Sequence, residues 1–385
     1  MRKRGHQHGS GGVKDEKAES EKDCRKDSRR DKQILARLAE DAESESALSI
    51  PLCIALFAVI LPVYVRTAYP TVPGGDAGEL IFTSCSLGVA HPPGYPLFIL
   101  LGHLFYRFIP YGTPGFRVNC LSCLCGATAT LLLFLFCQRW YASCGYRGSC
   151  GWALLVAGSW ALSPLLWQYH VQAEVFALNN LLVACQFLLA QLHYETCDAH
   201  AHACTHAHAP SVRKERARTA ARLGALVVGL GFSNQHAIVF YSLPIVLLVI
   251  LNDMGSHRNV ADPTFFLQLV ACGLVGLSPY LHMPLAASRS DISVLGSWGD
   301  QRTVEGLLKH MLRREYGTWR LYSGSDGVYT PISTWARLYL VNLGQNFFFF
   351  GPPLFLAGLA SCILAARRDR MGALVAGMLT YAGVC

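Results

Sequence analysis

Beyond residue 49 the chain has little charge. Residues 1–49 hold 12 Lys/Arg and 11 Asp/Glu, which leaves 21 and 14 for the other 336 residues. That is about one in ten, where a soluble chain carries roughly one in four. A soluble globular enzyme is excluded on this ground. The net charge of +8 is scattered, and no basic face with interleaved aromatics is present. Nucleic acid is therefore not an expected partner. There is no P-loop, no GxGxxG on a strand, no HExxH and no GxSxG. With no nucleotide site, an activated donor would be carried on a lipid. Asn-x-Ser/Thr sequons are also missing. The 15 cysteines lack disulfide-framework spacing and sit mainly in apolar runs (Cys120, Cys123, Cys125, Cys137, Cys185), as small hydrophobes do. Residues 193–208 carry five His and two Cys without the paired spacing of a zinc site, and read as low-complexity linker. No metal site and no cofactor are assigned.

What the chain has instead is apolar runs. A bilayer span needs about 20 mostly apolar residues. Residues 50–69, 118–138, 151–169, 175–193, 238–251, 264–283 and 347–366 qualify, the fifth being short. Residues 220–233 are a shorter candidate, and 371–385 begin another. The expected fold class is all-α and multipass. Residues 1–49 are polar and nearly free of aromatics, which predicts a disordered cytosolic tail. The first apolar run starts too far in for a signal peptide and reads as a retained anchor. The chain stops at Cys385 inside an apolar run, so a missing C-terminal region is expected beyond it.

Charge sets the expected orientation. Residues 92–109 are long enough to tempt a span assignment, but they open on Pro-Pro-Gly and contain His103 and Arg107. If they lie along the far membrane face, Arg139, Arg147, Arg213, Lys214, Arg216, Arg218, Arg222, Arg258, Arg367, Arg368 and Arg370 all fall on the cytosolic side. If they cross, all eleven move to the other side. The positive-inside rule selects the interfacial arrangement. The 194–219 stretch becomes a cytosolic loop and 284–340 a luminal one. Four polar segments then share the non-cytosolic face: 74–96, 170–179, 233–236 and 284–340. Polar, non-helical backbone near membrane depth is tolerated where it lines a wet cavity.

These segments carry the candidate chemistry. Asp76 and Glu79, three apart, lie on one side of a helical turn. One could serve as general base toward an attacking hydroxyl while the other orients it. The competing reading is a capping box at a helix start. His91 and Tyr95 follow in the same loop. Glu174, between two apolar runs, could bind a sugar hydroxyl or cap a helix. Asn234, Gln235 and His236 form a polar break that could hold phosphate or sugar, or make a plain hairpin turn. In the long loop, Arg289 and the Arg313-Arg314 pair are natural partners for a lipid phosphate. Trp298 beside Asp300 suits a sugar platform. Each of these is equally compatible with a snorkelling arginine or an aromatic belt.

The motifs together resemble one family. GGDAGELIFTSCSLGVAHPPGYPLF at 74–98, QAEVFALN at 172–179, SNQHAIV at 233–239 and SWGDQRTVEGLLKHMLRREYGTW at 297–319 are similar to the transmembrane O-mannosyltransferase family. This family belongs to the GT-C superfamily, and its animal member modifies IPT domains of plexins and related receptors. The resemblance covers about 50–385. It implies a GT-C fold with interfacial helices in the first luminal loop, in the endoplasmic reticulum membrane, with dolichyl phosphate mannose as donor and Ser/Thr of a folded luminal protein domain as acceptor. It implies Asp76 as catalytic base in an inverting transfer, with Glu79, His91 and Glu174 supporting. His236 and Arg289 become the candidates for the donor phosphate. Relatives continue into a luminal region with helical repeats that this chain lacks. Two rivals stand beside this reading. One is a GT-C enzyme with another sugar or acceptor. The other is a transporter, though no paired internal repeats are found.

Overall fold

The computed structural model describes residues 45, 47–144, 146–197, 210–256, 262–289, 296–316 and 332–346. The expected runs 347–366 and 371–385, most of the His-rich stretch and almost all of the 1–49 tail lie outside these residues. The compact body is Leu52–Cys385, distinct from Met1–Pro51. The described residues form helices joined by turns and short irregular segments, with no strand among them.

Helix α1 (Ala47–Thr67) is long and apolar enough to cross a membrane, and most of its surface is left uncovered by the protein. Ile54 and Val59 point outward, as lipid-facing residues do. A short helix α2 (Ala77–Ser86) and a second, α3 (Pro96–Phe108), follow before the next long one. At 13 residues, about 20 Å, α3 is too short to span a core of roughly 30 Å. Its length is that of the expected interfacial helix.

Helix α4 (Pro114–Ser143) is the central pillar. Thr113 caps it by accepting from the Phe116 N–H, and Pro114 starts it where a missing N–H costs nothing. It packs against α5 (Ser149–Ala161) and α7 (Val175–Cys197), and α7 packs in turn on α8 (Pro210–Phe232). Two expected spans are bent. Helix α5 turns by 67° into α6 (Pro164–His170), because Pro164 supplies no N–H to continue the ladder. Beyond α9 (Val239–Ser256), α10 (Pro263–Gly276) turns by 44° into Ser278–Ala287, whose last part is α11 (His282–Ala287). Pro279 sits just past that break. Among the described residues three helices are long and apolar enough to cross alone, and up to five if each bent pair is one span.

Two expected loops are partly helical. Within 194–219, residues 210–219 belong to α8. Its charged first turns persist because Arg218 pairs with Asp262 and Arg222 with Glu215. The 284–340 stretch contains α12 (Val304–Met311) and the start of α13 (Ile332–Asn346). Helices α8 and α10 meet at bare glycine: a Cβ on Gly229 would collide with the Gly273 carbonyl, and one on Gly276 with that of Leu226. Small residues allow this approach between helices in lipid.

Candidate active site

Asp76 stands at the N-cap of α2, yet its side chain makes no capping hydrogen bond. Glu79 does not reach back to the cap either. Its Oε1 accepts the His91 backbone N–H at 2.6 Å, and its Oε2 lies 2.8 Å from His91 Nδ1. The capping-box reading is therefore replaced by a chelated Glu79–His91 pair. Burial pushes Glu79 up, but the His91 hydrogen bonds outweigh it and leave the carboxyl below its ordinary range. Burial lowers His91, and the hydrogen bond and charge of Glu79, with Asp76 behind, more than reverse this. The remaining ring nitrogen, Nε2, faces the Tyr95 hydroxyl at 3.0 Å and Asp76 Oδ2 at 3.8 Å. Asp76 is the open member of the group: its side chain is 62% exposed, against 25% for Glu79 and 17% for His91.

Glu174 comes from the turn before α7. Its Oε1 accepts the Asp76 N–H at 3.2 Å. Burial, then the charge of Asp76, pushes its carboxyl up to about 7. Gly75 makes this contact possible. Its φ is +69°, and a Cβ there would lie 2.9 Å from Glu174 Oε1.

The other expected residues divide. The Trp298 ring lies 6.3 Å from the His91 ring, edge to face, so it borders the site. His236 Nε2 lies 3.2 Å from the Tyr280 hydroxyl, which itself donates to the Phe232 carbonyl. Asn234 is fully buried and donates to the Val175 carbonyl, tying the 233–236 turn to the start of α7. Gln235 is half-buried, and its backbone N–H closes the same turn on Gly231. Arg289 bears on His282. Asp300 is exposed and bound at two points by Arg302. Neither Arg289 nor Asp300 joins the hydrogen-bonded carboxylate cluster.

The sequence names Arg313 only together with Arg314; the structure separates the two. Helix α12 ends in a Schellman turn: the Arg314 N–H reaches the Lys309 carbonyl and the Arg313 N–H reaches that of His310. The left-handed position of this turn usually holds glycine, but here it holds Arg313, at φ 52°. Such a conformation costs roughly 1–2 kcal/mol for a residue with a Cβ. The guanidinium bears on His91, Tyr95 and His236, and its Nε is buried without a hydrogen-bond partner among the described residues. A strained arginine with an unmet donor beside His91, Tyr95 and His236 is suited to an anionic ligand. Among the described residues no set of three or more His, Cys, Asp or Glu is grouped as a metal site would be.

Residues 76–259 match the family model described as the Protein O-mannosyl-transferase TMEM260 N-terminal domain. Those residues are thus similar to the TMEM260 N-terminal domain family. Two relatives extend the likeness. A Protein O-mannosyl-transferase TMEM260 of Mus musculus is 35% identical over 327 residues, covering 85% of this chain and 42% of the relative. A Protein O-mannosyl-transferase tmem260 of Dictyostelium discoideum is 34% identical over 328 residues, covering 82% of this chain and 37% of the relative. The chain thus spans about two-fifths of the length of these TMEM260 relatives. No solved structure matches it. Asp76, Glu79, His91 and Glu174 fall inside the TMEM260 N-terminal match, while Trp298 and Arg313 lie beyond it.

Proposed function

We propose that this chain is the membrane-embedded catalytic part of a protein O-mannosyltransferase. The donor is dolichyl phosphate mannose, and the acceptor is a Ser/Thr hydroxyl of a luminal protein domain, IPT-like in kind. The site faces the lumen of the endoplasmic reticulum, with the N-terminus in the cytosol and a GT-C arrangement of spans. The observation that carries this reading is the open Asp76 carboxylate beside a buried, mutually bonded Glu79, His91 and Tyr95. The names of the TMEM260 relatives support the same reaction class.

The mechanism is one displacement. Asp76 takes the proton of the acceptor hydroxyl as that oxygen attacks C1 of the mannosyl group. The bond from C1 to the phosphate oxygen breaks, and dolichyl phosphate leaves with the electron pair. Arg313 offsets the charge of the leaving phosphate, with His236 beside it. Glu79 and Glu174 hold the loop that carries Asp76. Trp298 borders the place of the sugar.

The test uses microsomes carrying the full-length protein, labelled dolichyl phosphate mannose and a panel of folded luminal domains that includes IPT domains. Hexose on Ser/Thr with wild type and not with Asp76→Asn supports both the reaction and the base. Folded wild type that transfers nothing from this donor overturns the donor assignment and directs attention to another lipid-linked sugar.

A further inference from the structure

The segment 88–91 has an unusual set of partners. The Gly88 carbonyl lies 3.1 Å from His282 Nε2, and the next N–H, that of Val89, donates to Ser297 Oγ at 3.2 Å. The Val89 carbonyl accepts the Trp298 N–H at 3.0 Å. The Ala90 carbonyl lies 2.9 Å from His310 Nε2. All four partners come from a part of the chain about 200 positions later.

These bonds fall in pairs on single peptide units. A peptide is planar, so its C=O and its N–H turn together. The Ala90 C=O and the His91 N–H belong to one unit. His310 grips its oxygen, and Glu79 Oε1 grips its nitrogen at 2.6 Å. The 88–89 unit is held in the same way, by His282 on the oxygen and Ser297 on the nitrogen. Each histidine meets a carbonyl, so each must carry its proton on Nε2. His310 is 2% exposed, and burial, the largest influence on it, holds the imidazole below its ordinary range and therefore neutral. Its packing is close on both sides. A Cβ at Gly94 would lie 3.4 Å from His310 Cδ2, and one at Gly299 would lie 3.0 Å from Nδ1.

We propose that His310 is a positioning residue: by fixing the plane of the 90–91 peptide it aims the His91 N–H at Glu79 and so sets where His91 Nε2 stands relative to Asp76. His282 does the same two units earlier with less effect, because its peptide contacts no site residue. Two hydrogen bonds on one peptide polarise each other, so loss of the outer one also weakens the inner. His310 touches no substrate in this scheme. Its influence passes through the peptide to Glu79 and His91, and the inference rests on the transferase reading for its kinetic consequence alone.

The experiment compares His310→Gln and His310→Asn in the full-length protein in membranes. The glutamine amide nitrogen sits where the histidine Nε2 sits, whereas that of asparagine stops at the Nδ1 position. Two quantities are read: amide hydrogen exchange of a peptide covering 88–95, and initial rates against dolichyl phosphate mannose concentration. We expect His310→Asn to raise exchange at least tenfold and to lower kcat about tenfold or more, with donor KM within about twofold of wild type. His310→Gln should recover most of both. Unchanged exchange in His310→Asn overturns the inference, as does equal behaviour of the two variants, or raised exchange with an unchanged kcat. If wild type itself transfers no mannose, the transferase reading has failed while the exchange comparison still decides the clamp.

Discussion

The Asp76 N–H donates to Glu174 Oε1 at 3.2 Å, joining residues 98 positions apart. This bond crosses from the loop before α2 to the turn before α7. It spends Glu174 on the backbone of Asp76 and leaves the Asp76 carboxylate unengaged by any cap. The two acids therefore have different work.

Asp76→Asn should lower transfer by on the order of 10²- to 10⁴-fold, the usual worth of a general base. The exposed side chain makes no buried bond, so folding should be unaltered. Product mass and the yield of detergent-solubilised protein check the two halves. Transfer at the wild-type rate would remove Asp76 from the base role.

Glu174 gives a pH dependence whose sign can be worked out. Its folded value of about 7 lies above its ordinary 4.5. Between these values the folded state holds more protons than the unfolded one, so this group's contribution makes stability fall as pH rises from about 4.5 to 7. Glu174→Gln removes that loss and keeps an acceptor for the Asp76 N–H. The variant should be the more stable form at pH 8, by up to roughly 3 kcal/mol, and should match wild type near pH 4.5. Thermal aggregation curves at both pH values check this, and a wild-type advantage at pH 8 would contradict it.

Arg313→Gly should separate stability from activity. Glycine takes the left-handed turn without the Cβ penalty, so the thermal midpoint should hold or rise. Donor KM should rise about tenfold as the phosphate loses its cation. Initial rates at graded donor concentration decide it, and an unaltered KM would mean that the guanidinium does not meet the donor.

Gly276→Ala should destabilise the body by about 1–3 kcal/mol through overpacking against α8. The same substitution at Gly151, where a Cβ meets nothing within 4 Å, is the control and should be near neutral. Comparable losses at both positions would show that the seam is not close-packed.

The orientation of this stretch can be read from introduced sequons, because residues 1–385 contain none of their own. An Asn-x-Thr in a short spacer at Tyr111–Gly112 should acquire a glycan, and one near Arg147 should not. Gel shifts reversed by glycosidase report it, and the opposite pattern would invert the topology.

The sequence reveals what depends on neighbours in the chain. Asp76 and Glu79 are three apart, and His91 follows closely enough to be read with them. The apolar spans are equally plain. The bends at Pro164 and Pro279 are missed because an apolar count is blind to a missing N–H. The charged start of α8 is missed because its arginines are stabilised by partners such as Asp262, 44 positions away. Arg313 looks no different from Arg314 until the turn places one in the left-handed position. His310 shows no signal at all, since its meaning lies in a carbonyl 220 positions earlier.

That separation fixes an order of events during synthesis. A ribosome adding about 5–20 residues per second needs roughly ten seconds or more to travel from Glu79 to Arg313. For that interval the acids exist without the histidine and arginine that complete them. In the transfer scheme proposed above, a half-made chain is therefore silent toward the lipid pool around it, and competence begins only when the later segment has docked.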